Sequence, residues 1–288
     1  MSALSRITCH AVHALPAEQR ERLAHELFAV HTQIFAGLSF EEFRNYVVER
    51  QAWRTWIYVR RNTRGETVGY TSVHVFRLDV DGRATTVIRM EAGTLPEARG
   101  QDLTMVRALV RLIAVWLAAP WRRTCIFAAL THPSSYTFLA HYAPVIWPHV
   151  DRKPIPPEVL REMEHLAAAF ELERISEGNP LLRRVEWITR ESEEDRQRWR
   201  RSQRRDTRFY LRANPGYTEG HGLLTYIPVN GMILLHSMGL FLSSRAAHVF
   251  ALLRGKRPVR REVPPPPIMG GDSRIGSLES HFGRLEQR

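Results

Sequence analysis

The sequence predicts an α/β (α+β) protein: a mixed twisted sheet flanked by helices, with a mainly helical, apolar C-terminal extension. Three observations predict it. Strand-like and helix-like hydrophobic periods alternate from residue 7 to 150 in the order β, α, α, β, β, β, α, β, α. The three consecutive strands are joined by short turns, which pair neighbours antiparallel. The helix after them leads to a continuous apolar strand, TCIFAALT, and such a crossover adds a parallel pair to the sheet. With 288 residues, 44% of them hydrophobic, the chain has ample material for a core.

Residues 7–15 read as the opening strand. The next stretch, PAEQRERLAHELFAVHTQIF, carries Leu23, Leu27, Val30 and Ile34 at helical spacing behind Pro16. SFEEFRNYVVER is a second short helix, with Ser39 as N-cap and Glu42 at the capping-box position. Strands follow at 55–61, 67–80 and 83–95, with residues 62–65 and the pair Asp81, Gly82 as their turns. Residues 103–117 form a helix apolar around most of its circumference, the pattern of one buried against a sheet. A strand over 124–131 and a short helix over 132–143, ended by Pro144, complete a first domain, 1–150. Residues 151–253 read as an extension packing on that domain or on a membrane. It comprises a helix at 154–172, an Arg-rich segment at 190–208, a strand at 207–212 and a nearly uncharged apolar run at 222–244. Residues 254–288 are a basic, proline-rich flexible tail.

Lys and Arg number 41 against 30 Asp and Glu, a net charge of +11, and only Lys153 and Lys256 among the cations are lysines. Such a surface attracts phosphorylated ligands, acidic proteins and anionic lipid alike. Nucleic acid is not the expected partner, because in 190–208 the acids precede the arginines in a block and pair with them along a solvated helix. The two cysteines, Cys9 and Cys125, lie far apart on strands, and the N-terminus lacks the apolar core of a signal peptide. A cytoplasmic protein without a disulfide framework is expected. No metal site is expected either, because Cys9, His10 and His13 lack paired ligand spacing.

The stretch from Thr94 to Val110, TLPEARGQDLTMVRALV, is a strand–turn–helix unit of the kind that offers free backbone N–H groups to phosphate. Pro96, Arg99 and Gly100, with ETVGYTSV upstream, resemble the central motif of the GNAT N-acyltransferase superfamily. The family's turn runs Arg or Gln, two residues, Gly, one residue, then Gly or Ala, and the resemblance covers about residues 7–150. It implies transfer of an acyl group from a thioester to an amine acceptor, with acyl-CoA or acyl-phosphopantetheine as donor substrate and no tightly bound cofactor. It also implies that Arg99, Gly100, Gln101, Asp102, Leu103 and Thr104 hold the donor. Asp102 and Thr104 stand where the family has small residues. A carboxylate ~5 Å from a phosphate costs roughly 3 kcal/mol at an effective dielectric near ~20. Either Asp102 turns away as an N-cap, or the donor is not held by a pyrophosphate. An acyl carrier protein, acidic and bearing a single phosphate, suits the second case; the GNAT-like long-chain N-acyl amino acid synthases use such donors.

Glu91 shares one strand face with Arg89 and Val87 just before the turn. The resemblance places there a carboxylate that accepts the amine proton, a step the reaction needs because a protonated amine has no lone pair. His132 ends the strand at 124–131, where the sheet opens towards substrate. The resemblance also places in the helix at 132–143 a tyrosine that protonates the departing thiolate. That register gives Leu139, so Tyr136, one turn away, becomes the candidate. The apolar run at 222–244, followed by RGKRPVRR, reads either as a broken amphipathic helix at the anionic inner face of a membrane, anchored by Tyr226 and Phe241, or as a lid on the domain. The alternative in another class is a catalytically inactive fold of this kind, acting as a membrane-associated binding or scaffold protein.

Overall fold

The structure, a computed structural model, describes residues 6–98, 104–151, 153–185 and 187–253. Its centre is a seven-stranded mixed sheet. In chain order its strands are β1 (Arg6–Ala11), β3 (Arg54–Arg61), β4 (Thr67–Val80), β5 (Arg83–Thr94), β6 (Arg123–Leu130), β7 (Leu182–Arg184) and β9 (His221–Val229). In space they run β1-β3-β4-β5-β6-β9-β7. Every neighbouring pair is antiparallel except β5 and β6. A small ribbon of β2 (Phe35–Ala36) and β8 (Ile188–Thr189) lies apart.

The β4–β5 hairpin sets the register on which the site depends. Asp81 and Gly82 adopt φ of 52° and 74°, the two-residue turn whose twist matches flanking strands, and the Gly82 N–H donates to Asp79 Oδ1 at 2.8 Å. Val80 therefore faces Arg83, and rung by rung Ser72 comes opposite Glu91 and His74 opposite Arg89. The parallel ladder between β5 and β6 is short. It runs from Thr85–Arg123 to Ile88–Ile126 and stops, so Met90, Glu91 and Ala92 lie beyond it.

Helices cover both faces. On one, α1 (Ala17–Ile34) and α5 (Pro157–Ala169) bury Leu23, Leu27, Val30, Met163 and Leu166 against Val59, Val87 and Phe127. On the other, α3 (Thr104–Ala118), α4 (Pro133–Tyr142) and α7 (Arg205–Ala213) bury Ala108, Leu112, Leu139, Phe209 and Tyr210 against Ile88 and Ile126. The capping box of α2 (Phe40–Phe43) forms as expected, with Ser39 and Glu42 bonded reciprocally, and a π-turn, Arg44–Val48, continues it. The helix expected in the Arg-rich segment is α6 (Glu193–Arg201), where Arg196 pairs with Glu193 and Arg198 with Asp195.

Three expectations are corrected. The α3 helix is not buried all round: only the stripe Thr104, Ala108, Leu112 is inside, and Val110 and Leu117 are each 61% exposed. Residues 207–212 belong to the helix α7 rather than to a strand. Thr207 and Tyr210, three apart, are buried together with Phe209, and a helical face gathers such positions where a pleat would alternate them. The run at 222–244 is not one broken helix. Its first part is β9, paired with β6 from Thr124–Val229 to Leu130–Leu223 and buried along nearly its whole length, which explains its unbroken apolar character. Pro228 is tolerated because Tyr226, two residues earlier, exchanges its backbone bonds with Trp147 on the outer side of β9, so the missing N–H also faces outward. Asn230 then caps α8 (Gly231–Leu253) through Ile233 N–H at 2.9 Å. Residues 151–253 thus contribute two strands to the same sheet. Among the described residues no helix is long and apolar enough to cross a membrane, and the basic tail at 254–288 lies outside them.

Candidate active site

Glu91 is the centre of a buried ionic network. It is 1% exposed, on the α1/α5 face of β5. The Ser72 hydroxyl donates to Oε2 at 2.9 Å, Arg50 Nη1 donates to Oε1 at 3.2 Å, and His74 Nε2 lies 2.7 Å from Oε2. His74 is held on its other side by Thr55, whose Oγ1 is 3.0 Å from Nδ1. The two ring nitrogens are thus flanked by the Thr55 hydroxyl and the Glu91 carboxylate. Arg89 donates to the Tyr46 hydroxyl at 3.1 Å and lies over Phe170 at 4.6 Å, while Arg50 stacks on Tyr46 at 4.1 Å. One carboxylate therefore shares its surroundings with two guanidinium groups.

The electrostatics follow. Burial pushes the Glu91 carboxyl up, but His74, Arg50 and Arg89 together outweigh it and hold it at about 2. Burial lowers His74, and the attraction of Glu91 only partly offsets this, so the imidazole is held neutral. An ionised carboxylate beside a neutral imidazole is the combination in which the ring can take up a proton and the carboxylate can stabilise the cation formed.

His132 sits in a second network. It is the N-cap of α4: Nδ1 accepts from the Ser134 N–H at 3.2 Å and lies 2.6 Å from Ser134 Oγ, and Nε2 lies 2.6 Å from Glu191 Oε1. The rings of Trp199 and Tyr217 pack on it edge-on. Tyr136 is fully buried and donates its hydroxyl to Pro148 O at 2.8 Å, with Phe209 and Tyr210 against its ring; burial pushes its hydroxyl up. The three residues singled out from sequence are thus not joined. Glu91 faces α1 and α5, whereas His132 and Tyr136 belong to α4 across the sheet, and Tyr136 spends its proton on a backbone carbonyl.

Of the donor turn, Arg99, Gly100, Gln101, Asp102 and Leu103 lie outside the described residues. Thr104 begins α3 with its hydroxyl 2.9 Å from that of Thr71 on β4, tying the helix start to the sheet. Sequence reasoning missed His74, Arg50, Thr55 and Glu191. The hairpin held a signal for the first: with Asp81 and Gly82 as a two-residue turn, the register puts Ser72 and His74 on the face that carries Glu91 and Arg89. Arg50 and Glu191 arrive from distant loops and left no local pattern.

No family model matches this chain, and no curated protein is similar to it. Among solved structures it is similar to a probable N-acyltransferase from Enterococcus faecalis, at 13% identity and a TM-score of 0.33 over 48% of this chain and 32% of that one. It is similar to a ribosomal-protein-alanine N-acetyltransferase from Brucella melitensis at 18% identity, TM-score 0.25, over 41% of this chain and 75% of that one. It is also similar to a spermidine N-acetyltransferase from Vibrio cholerae at 15% identity, TM-score 0.26, over 44% and 72%. This chain spans about a third of the first of these proteins. Independently of them, the sheet order β1-β3-β4-β5-β6, its one parallel step and the helix that crosses between β5 and β6 give the chain a GNAT-like fold.

Proposed function

We propose that the protein moves an acyl group from a thioester, on coenzyme A or on an acyl carrier protein, to an amine. The observation that carries this reading is the Glu91–His74 pair on β5 and β4, with Glu91 three residues beyond the last rung that β5 shares with β6, on the strand that leads towards α3. An extended donor arm lying along β5 there has backbone groups to bond with, as a peptide does when it adds to a strand. The amine nitrogen attacks the thioester carbonyl carbon, a C–N bond forms, the C–S bond breaks, and the proton lost by the amine passes to His74 and from there to the departing thiolate. His74, kept neutral by burial, is the acceptor for that proton, and Glu91 is its positioning partner. Arg99 and its neighbours in the turn are the proposed donor contacts, with His132 at the acceptor end of β6. The long-chain donors and the inner membrane surface expected from the sequence remain part of this proposal, supported by the net charge of +11.

The test is release of free thiol from acyl-CoA and from acylated carrier protein, with and without a panel of amines, alongside mass detection of the amide. Amide formed one-to-one with thiol supports the reading. Folded protein that yields no amide with any donor and amine overturns it and favours the scaffold alternative.

A further inference from the structure

The face opposite Glu91 contains a cavity of about 90 Å³ between α3, α4, α8 and the strands β5, β6 and β9. Met90, Ala108, Leu139, Ile227, Leu234 and Phe241 are among its walls, and among the described residues no charged one lines it. Apolar cavities stay dry and accept apolar guests, and the Met90 and Met105 side chains let the wall adapt to one. The helices that wall it are also the ones left incompletely covered. Val110, Leu117, Met232, Leu235 and Leu242, on α3 and α8, make up most of the large apolar side chains exposed among the described residues. The start of α8 is seated on α3: a Cβ at Gly231 would stand 3.0 Å from the Trp116 ring.

Position connects this cavity to the proposed chemistry. Met90 and Glu91 are consecutive on β5, so they point to opposite faces, one into the cavity and one into the ionic network. The β5–β6 ladder has already ended at Ile88–Ile126 when the chain reaches them. A group lying in the parting of the two strands can therefore reach both faces. We infer that the cavity is the binding site for the hydrocarbon chain of the donor, so that the acyl group transferred is an aliphatic chain of several carbons rather than acetyl. The inference rests on the acyl-transfer reading for its link to catalysis, but the cavity's ligand chemistry stands without it.

Two measurements keep the ideas separate. Calorimetric titration with free decanoate, using acetate as the control, needs no turnover: binding of decanoate and none of acetate is expected. Over a thioester series from acetyl- to decanoyl-CoA, kcat/KM should climb by about fourfold for each methylene buried until the cavity is full. Ser237→Trp from the α8 wall, or Ala143→Phe from the α4 side should the first variant melt early, should weaken decanoate binding at least tenfold and shift the preferred donor to shorter chains. Decanoate binding without any amide formation would uphold the cavity and remove the transfer reading. Amide formation that is indifferent to chain length, with no decanoate binding, would uphold transfer and overturn the cavity. Decanoate binding unaltered in both folded variants would overturn it as well.

Discussion

The two faces of the sheet are built on opposite terms. Beneath α1 and α5, Glu91, His74, Arg89, Ser72 and Thr55 are buried and the Arg50 side chain is only 9% exposed, and each is placed against a polar or aromatic neighbour. Beneath α3, α4 and α8 there is an apolar cavity with apolar side chains exposed on its outer walls. The contrast teaches where free energy resides. The polar face is costly to disturb because desolvated charges depend on one another. The cavity-side outer wall is cheap to alter because it is incompletely packed.

The largest effect should come from breaking the polar face. Glu91→Ala removes the buried carboxylate that Arg50, His74 and Ser72 hold, so urea denaturation should show a loss of about 3–5 kcal/mol. A loss below about 1 kcal/mol would mean that water reaches the network and the faces differ less than their geometry suggests.

Acid should act next, and on the same face. His31, buried against Phe35, Phe43 and Trp187, is lowered by burial from 6.5 to about 3, and His74 is lowered too. For both, the neutral form belongs to the fold, so their contribution is full above 6.5 and declines as pH falls below it. Glu91, held at about 2 against an ordinary 4.5, contributes above 4.5 and loses that contribution as pH falls towards 2. Stability measured by urea midpoint from pH 8 to pH 4 should therefore fall on acidification, by about 1.4 kcal/mol per pH unit for each extra proton taken up on unfolding. His31→Phe should flatten the curve between 6.5 and 4.5. A midpoint constant over that range would contradict the assignment.

A smaller effect sharpens the comparison at α4. Tyr136→Phe removes the bond to Pro148 O and should cost about 1–3 kcal/mol while leaving kcat within a few-fold. A tenfold loss of kcat at unchanged stability would place that hydroxyl on the departing thiolate instead. The smallest effect belongs to the outer wall: Leu235→Ser, at a position 71% exposed, should change stability by less than about 0.5 kcal/mol.

How much of this was legible in the sequence follows the same division. The hairpin, the capping box, the order of elements up to α4 and the place of Glu91 could be read because each depends on neighbours within one or two elements. β9 was misread because a strand buried on both sides and a buried helix have the same apolar composition, and its partner β6 lies nearly a hundred residues away. α3 was misread because its apolar residues outnumber the contacts its neighbours offer. His132 was singled out, but its partner Glu191 was not, since nothing local links residue 132 to 191. The His74–Glu91 pair is legible only across two strands, through the turn register that brings β4 beside β5, and not along the strand of Glu91 alone.

The most direct test of acyl transfer centred on His74 and Glu91 is the pH profile of amide formation, taken with the best thioester and amine for wild type and for Glu91→Gln. Because Glu91 is what raises His74 against the effect of burial, its neutralisation lowers the imidazole further. Amide should form in the wild type with an acidic limb set by His74, and in Glu91→Gln the rate should drop and the limb should move to lower pH. Amide formation at the wild-type rate with an unmoved limb in folded Glu91→Gln would contradict this.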